Sequence, residues 1–300
     1  MIEREKTMKT TIRVLLNANT KGSIQEVFNI IQFPSGEIGG NFSEDFVGFA
    51  EKFAGQIDNA FFAVQGYDKD TLFALALAKE AVDKLVPQGS ATKTVVFGFL
   101  PNARYDRHMF KGDAAALKVF ANLVNAMEFD AVCALDTHSN VAENLFKCFH
   151  NLPQKEFAAH FASDPRIDYL VAPDAGAAKK TEETAKEVDK PYITMAKVRN
   201  LKTGEITGMR LLDDVDLTGK TVMILDDICD GGRTFVEAAK CLREAGAERV
   251  ELYVTHGIFS KGVQNLLYNG IDHVYTTNSL GNAEDRGLSH FNKVTVANLD

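Results

Sequence analysis

Thr221-Val-Met-Ile-Leu-Asp-Asp-Ile-Cys-Asp-Gly-Gly-Arg-Thr234 is an apolar run that ends in two carboxylates and then passes through two adjacent glycines. A short, unbroken apolar run bounded by turn residues reads as a strand buried on both faces, as in parallel sheets covered by helices. The strand is expected over Thr221 to Leu225, with Asp226 and Asp227 at its carboxyl edge and a helix from near Thr234. In an open parallel sheet, ligands bind beyond that edge. Gly231 and Gly232 let the backbone bend so that successive N–H groups converge, and the following helix adds its positive end. A phosphate cradle beside paired carboxylates suits a phosphorylated sugar whose 2- and 3-hydroxyls bind the acids. On these residues alone, an Asp-rich turn with a helix cap is the alternative.

Working outward, short β-rich runs alternate with helix-like segments along most of the chain, which defines an α/β protein. Strands are expected near Thr10 to Asn17, Glu26 to Phe33, Ala60 to Val64, Lys93 to Phe99 and Asp130 to Leu135. Helices fall between them near Asp70 to Leu85 and Asp113 to Ala126. Beyond a polar, Pro-containing junction at Cys148 to Pro165, strands near Tyr169 to Ala172, Tyr192 to Lys197, Arg249 to Thr255, His273 to Thr277 and Lys293 to Ala297 continue the pattern. They alternate with helices near Gly176 to Val188, Thr234 to Ala245 and Lys261 to Asn269. Two lobes, residues 1–150 and 151–300, follow from this and from the 300-residue length. The charge-dense run Lys179 to Lys190 reads as the solvated face of a helix.

Composition narrows the function. A net charge of −8 argues against a nucleic-acid partner, which needs a concentrated basic face. Any anionic ligand must then be held by a local pocket. No apolar run reaches the roughly 18 residues of a membrane span, and Met1 to Thr10 is charged with no signal-type apolar core after it. The expectation is a cytoplasmic protein with no membrane partner. Cys133, Cys148, Cys229 and Cys241 form no CxxC pair and lie in apolar stretches, as reduced thiols do. Thr218-Gly-Lys-Thr221 is similar to the end of a Walker A motif, but position 214 is Asp and the strand follows it, so no P-loop is present.

Four further segments carry chemistry: Pro101-Asn-Ala-Arg-Tyr-Asp-Arg107, Asp136-Thr-His138, Val171-Ala-Pro-Asp-Ala-Gly176 and Thr255-His-Gly-Ile-Phe-Ser260. On an extended strand end, residues i and i+2 point the same way, so Asp136 and His138 could face one site. Magnesium takes one or two protein ligands and keeps the rest for water and phosphate, which a sparse His138 and Asp174 set fits better than a zinc cage would. Lys197 and Arg199 end a strand and open a polar, Gly-containing segment, Asn200 to Gly208, that reads as a mobile hairpin or flap.

The five segments, in this order, resemble the ribose-phosphate pyrophosphokinase (phosphoribosyl pyrophosphate synthetase) family. The stretch from Asp226 resembles that family's Asp-Asp-x-x-Asp sugar-phosphate loop, which is shared in form with type I phosphoribosyltransferases. The resemblance implies two phosphoribosyltransferase-like lobes, each a mostly parallel sheet flanked by helices, with ATP-side motifs in the first and the sugar-phosphate loop and catalytic flap in the second. It implies ATP contacts for Arg104, Tyr105, Asp106 and His138, and a further contribution from Phe33 and Glu37 in Phe33-Pro-Ser-Gly-Glu37, a segment that in the family reaches across a subunit contact. Magnesium would fall to His138, Asp174 and Asp136, the sugar phosphate to Asp174, Asp226, Asp227, Asp230, Gly231, Gly232, Arg233 and Thr234, and the transferring pyrophosphate to Lys197 and Arg199. The implied reaction moves pyrophosphate from ATP to ribose 5-phosphate in a homo-oligomer.

The loop departs from the family's Asp-Thr-Gly/Ala-Gly-Thr, reading Asp230-Gly-Gly-Arg-Thr234. The threonine hydroxyl that would bond the 5-phosphate is missing at Gly231, and Arg233 brings a cation where a small residue is expected. Two outcomes are open: Arg233 replaces the lost contact, or the loop admits a 5-substituted ribose such as ADP-ribose. A type I phosphoribosyltransferase or a non-catalytic regulatory subunit of a synthetase are the rival classes.

Overall fold

The computed structural model describes residues 9–199 and 206–299, of which 198, 199, 206 and 207 are described in their backbone only. Contacts divide the chain into two compact units, one running to Leu152 and taking in Ser279–Gly281, the other comprising Pro153–Asn278 and the residues from Asn282.

In the first unit, β1 (Thr11–Asn17) buries every second side chain, Ile12, Val14 and Leu16, as a strand with one face on a core must. β2 (Ser23–Val27) pairs antiparallel with it. The expected strand over Glu26 to Phe33 breaks in two because Phe28 turns into the core, meeting Phe42 edge-on at 4.9 Å. The chain then forms a separate antiparallel hairpin of β3 (Asn29–Gln32) and β4 (Ile38–Asn41). The hairpin leads to α1 (Glu44–Lys52), a helix not expected from the sequence, whose cap Ser43 accepts from the amide of Phe46. β5 (Asn59–Gln65), α2 (Thr71–Leu85), β6 (Thr92–Phe97), α3 (Ala116–Asn125), β7 (Ala131–Leu135) and β8 (Phe149–Leu152) complete the unit. Its sheet runs β2-β1-β5-β6-β7-β8. β5 through β8 are parallel, whereas β1 opposes both of its neighbours.

The second unit begins with α4 (Lys155–Ala162), so the stretch read as a polar junction is ordered into β8 and this helix. β9 (Tyr169–Ala172), α5 (Ala175–Glu187), β10 (Tyr192–Arg199), β11 (Ile206–Leu211) and β12 (Thr221–Cys229) follow. α6 (Arg233–Glu244), β13 (Arg249–Gly257), α7 (Gln264–Tyr268), β14 (His273–Thr277) and β15 (Val294–Ala297) end it. The sheet order is β11-β10-β9-β12-β13-β14-β15, and only the outer β10–β11 pair is antiparallel. β12 is central, and its period of two serves both faces. Val222 and Ile224 join the core under α6 with Phe235, Ala238 and Leu242. Met223 and Leu225 join the opposite core with Ala158, Ala162 and Ala185 from α4 and α5. Among the described residues no helix is long and apolar enough to cross a membrane.

The first unit contains a charge cluster that sequence reading did not single out. Lys79 and Lys93, 4% and 2% exposed, both point at Asp83, with Nζ–O distances of 2.6 and 2.5 Å. Lys93 also donates to the carbonyl of Val86 at 2.7 Å. One carboxylate thus serves two buried ammoniums, and removing it leaves both without an ion-pair partner in a poorly solvating interior. Asp83→Ala is expected to destabilise the fold by about 3 kcal/mol, measured by urea unfolding; a loss under about 0.5 kcal/mol would show that water reaches these lysines.

Candidate active site

The deciding strand is longer than its apolar run. β12 continues through Asp226, Asp227 and Ile228 to Cys229, paired with β13 in the register Asp226↔Val254, Ile228↔His256 and Cys229↔Gly257. The ladder is made by backbone groups, so it does not stop where polar side chains begin. The two aspartates therefore lie within the strand, not beyond its end as the sequence suggested. Successive side chains leave opposite faces, and Asp227, 6% exposed, turns to the α5 side, where the ammonium of Lys180 lies 3.4 Å from its Oδ2. Oδ1 of Asp226 accepts from the amide of Asp227 at 2.8 Å. Burial, and then the nearby charges of Asp227 and Asp174, push the Asp226 carboxyl well above its ordinary value.

Asp174 caps α5. Its Oδ1 accepts from the amides of Gly176 and Ala177 at 2.9 and 3.2 Å, while its Oδ2 receives the ammonium of Lys197 from β10 at 2.6 Å. Burial alone would raise this carboxyl, but the Lys197 bond and charge and the helix amides outweigh it and hold Asp174 below the usual range. Asp174, Lys197, Asp226, Asp227 and Lys180 thus share one edge of one sheet. Lys180 was missed because it sits in a charge-dense run, yet it lies three residues after Ala177 and four before Thr184, on the helix's buried stripe. β10 and β11 pair antiparallel with Lys197 opposite Met209, and the flap read over Asn200 to Gly208 falls mostly outside the described residues. Residues 200–205 and the side chain of Arg199 lie outside the described residues.

The turn after β12 is held from β13. The amides of Ile258 and Phe259 donate to the Cys229 carbonyl at 2.8 and 3.0 Å, and that of Ser260 to the Asp230 carbonyl at 3.2 Å. Gly257 allows this, because a Cβ there would lie 2.2 Å from the Phe259 ring. The Thr255–Ser260 segment is therefore a brace, with Thr255 and His256 buried. Gly232 takes the left-handed φ of 78° and precedes α6, which starts at Arg233, one residue earlier than expected, and has no side-chain cap bond. The first-turn amides of α6 thus face the turn. Thr234 is the helix's second residue and Arg233 is exposed at its first.

In the first unit, Arg104, Tyr105, Asp106, Arg107, Met109, His138 and Ser139 line a cleft of about 450 Å³. Asp106 grips Arg107 through two bonds of 2.7 and 2.9 Å, and these bonds are the main reason its carboxyl is held down to about 2. Asp106 therefore orients Arg107, a cleft cation absent from the expected set. The Tyr105 hydroxyl donates to Asp113 at 2.9 Å, and that bond raises the phenol. Asp136 and His138 do not face one way. The strand ends at Leu135, Asp136 takes a left-handed φ of 37°, and its side chain is fully buried while His138 is exposed in the cleft. The i, i+2 argument needs extended backbone, which is absent here, so Asp136 does not offer its carboxylate to a metal at the cleft surface. Phe33 and Glu37 sit at the β3–β4 turn, joined by the Phe33 amide to the Glu37 carbonyl at 2.9 Å, and they are not among the residues lining the cleft.

Among the described residues no three His, Cys, Asp or Glu side chains gather into a metal cage. The donor set nonetheless fits magnesium. Asp174, held below the usual carboxylate range, is a hard oxygen donor of the kind magnesium uses, and magnesium takes most of its other ligands from water and phosphate.

Residues 140–278 match the phosphoribosyl transferase domain family. The second unit's strand, glycine turn and helix thus belong to a domain of that class. The chain is 27% identical over 201 residues to the ribose-phosphate pyrophosphokinase of Pyrococcus furiosus, covering 66% of this chain and 70% of that protein. It is 31% identical over 195 residues to the enzyme of the same name from Cereibacter sphaeroides, covering 63% and 55%. For that of Sulfurisphaera tokodaii the identity is 26% over 190 residues, covering 62% and 65%. The chain thus spans less than two thirds of the length of two of these three relatives. A crystal structure of phosphoribosylpyrophosphate synthetase from Mycobacterium smegmatis shares the fold, with a TM-score of 0.72, 23% identity and coverage of 91% of this chain and 86% of that one. In sequence the chain is thus similar to ribose-phosphate pyrophosphokinases, and in residues 140–278 to the phosphoribosyl transferase domain.

Asp226 has the sharpest electrostatic consequence. Its folded-state value is raised, so the stability it contributes is full below the ordinary carboxylate range and is lost as pH rises through the raised value. Asp226→Asn removes that loss. The variant is expected to melt a few degrees higher than the parent at pH 8, with the gap closing toward pH 4; equal melting temperatures at pH 8 would show that Lys180 and Lys197 already compensate the charge.

Proposed function

We propose that this chain transfers the β,γ-pyrophosphoryl group of ATP to the 1-hydroxyl of ribose 5-phosphate, giving phosphoribosyl pyrophosphate and AMP, in a magnesium-dependent reaction. The observation that carries the reading is the Lys197 ammonium held 2.6 Å from Asp174, on the sheet edge that also bears Asp226 and Asp227. A phosphoribosyltransferase needs the sugar loop but has no use for that cation or for an arginine-lined cleft. A regulatory subunit would have no reason to keep them.

Phosphoryl-type transfer asks the protein for in-line positioning and charge cancellation rather than covalent work. Sugar O1 bonds to the β-phosphorus, the bond from that phosphorus to the α,β-bridging oxygen breaks, AMP leaves with that oxygen, and the hydroxyl proton passes to solvent. Asp226 takes ring hydroxyls of the sugar, since a carboxyl so reluctant to ionise can both donate to and accept from a hydroxyl, while Asp227, on the opposite face of the strand, is held by Lys180. The Asp230 to Thr234 turn takes the 5-phosphate with its converging amides. Lys197 and Arg199 oppose charge on the moving phosphates. Arg104, Arg107, Tyr105 and His138 receive the nucleotide in the first unit's cleft. Asp174 would hold magnesium through a carboxylate oxygen, and the ion would supply positive charge against the phosphates. Homo-oligomeric assembly, with Phe33 and Glu37 near the nucleotide, goes with this reading.

A second acceptor is favoured by one observation: Arg233 is exposed at the first position of α6, beside a turn that carries no side chain at Gly231. A ribose whose 5-phosphate continues into a further group, such as ADP-ribose, would meet that cation. ³¹P NMR with ATP, Mg²⁺ and each sugar in parallel tests both readings. AMP and a new C1-pyrophosphate are expected, and the tube in which they form names the acceptor. No AMP in either would overturn the enzyme reading in favour of a regulatory subunit. Lys197→Ala is expected to lower turnover on the order of 10³-fold, and near-normal turnover would remove Lys197 from the mechanism.

A further inference from the structure

Gly231 has a neighbour that the sequence motif does not announce. A Cβ placed on Gly231 would lie 3.7 Å from Cε and 3.8 Å from Cδ of Lys261, and 3.9 Å from Oγ of Ser260. The end of the Lys261 side chain therefore lies over the bare backbone of the sugar-phosphate turn, in the space where a residue 231 side chain would project. A Cβ alone would make ordinary contact. The γ atoms of a threonine would reach about 1.5 Å further, so a rotamer directed at Lys261 would require the end of the lysine to shift.

The placement is fixed by backbone geometry. The Ser260 amide is bonded to the Asp230 carbonyl at 3.2 Å, so the residue after Ser260 is delivered to the turn whatever its side chain. Gly262 at φ 77° then turns the chain away, its own amide returning to the Phe259 carbonyl at 2.7 Å. Among the described residues no carboxylate lies within salt-bridge reach of the Lys261 ammonium. Electrostatics gives this cation a purpose. The start of α6 offers roughly half a positive charge to an anion, and a lysine ammonium beside it adds a full one.

We infer that Lys261 is a substrate-binding residue for the phosphate on the acceptor sugar's 5-carbon, taking the place of the hydroxyl absent at Gly231. The inference rests on the reading that this turn holds a sugar phosphate. It assigns the lost contact to Lys261, whereas the sequence offered only Arg233 for it. The ligand class is a ribose esterified at O5 with phosphate, either terminal or continuing into a second phosphate.

The test is calorimetric binding of ribose 5-phosphate and of ADP-ribose to the full chain, with Mg²⁺ and α,β-methylene-ATP, whose bridge cannot break. It is run on the parent, Lys261→Ala, Lys261→Arg and the double variant Gly231→Thr/Lys261→Ala. Lys261→Ala is expected to weaken the acceptor that the parent binds by about 10- to 100-fold, as loss of a charged hydrogen bond does, with nucleotide affinity within about twofold of the parent. Lys261→Arg should keep most of the binding, and Gly231→Thr should recover part of it by restoring a hydroxyl. Gly231 does not have a left-handed φ, so that threonine is tolerated by the backbone. Acceptor affinity unchanged in Lys261→Ala would overturn the inference while leaving the functional reading intact. A parent that binds neither sugar would overturn the functional reading, and the inference with it.

Discussion

Three carboxylates share the carboxyl edge of the second unit's sheet, and two lysines keep them there. Asp174, Asp226 and Asp227 are close enough that Asp226 feels both of the others, and like charges so placed cannot all ionise at ordinary cost. Lys197 answers Asp174 and Lys180 answers Asp227, while Asp226 resists charging. The arrangement requires a strand whose backbone is satisfied on both sides and neighbouring elements that bring cations to the carboxylates. β12 between β9 and β13 supplies the first. α5 and β10 supply the second.

This explains why some of the site was legible in the sequence and some was not. The apolar run Val222–Leu225 and the glycines after it fix strand, turn and helix in order, because burial and φ leave few other solutions. The end of the strand was not legible, since hydrophobic pattern reports side-chain burial while the ladder that carries Asp226 to Cys229 is made by amides and carbonyls. Lys180 hid in a run whose composition says solvent, although its spacing from Ala177 and Thr184 says interior. Asp136 failed in the opposite direction. Its spacing from His138 was informative only for extended backbone, and a single left-handed residue cancelled it.

The first unit shows the same division. Its parallel strands and the buried faces of α2 and α3 follow from pattern, whereas α1 and the β3–β4 hairpin depend on Phe28, Phe42 and Phe46 finding one another across a break in the strand. In the cleft, a motif names Arg104, Tyr105, Asp106 and Arg107 without saying which residues bind and which orient. The bidentate Asp106–Arg107 pair settles part of that. An acid held down to about 2 by its neighbour is occupied, and it presents the guanidinium outward.

The turn after β12 separates what the fold demands from what side-chain exchange can alter. At Gly232 the left-handed φ, together with Leu266 Cδ2 at 2.9 Å from any Cβ, excludes other residues. Gly231 bears neither constraint, and Arg233 is exposed. The brace from β13 grips the turn through the carbonyls of Cys229 and Asp230, and these backbone bonds do not use the side chains at 231 and 233. Binding chemistry there can change without cost to the strand, the turn or the helix. The same brace delivers residue 261 to the turn, so a cation can be exchanged for a hydroxyl across two segments that are held together by backbone alone.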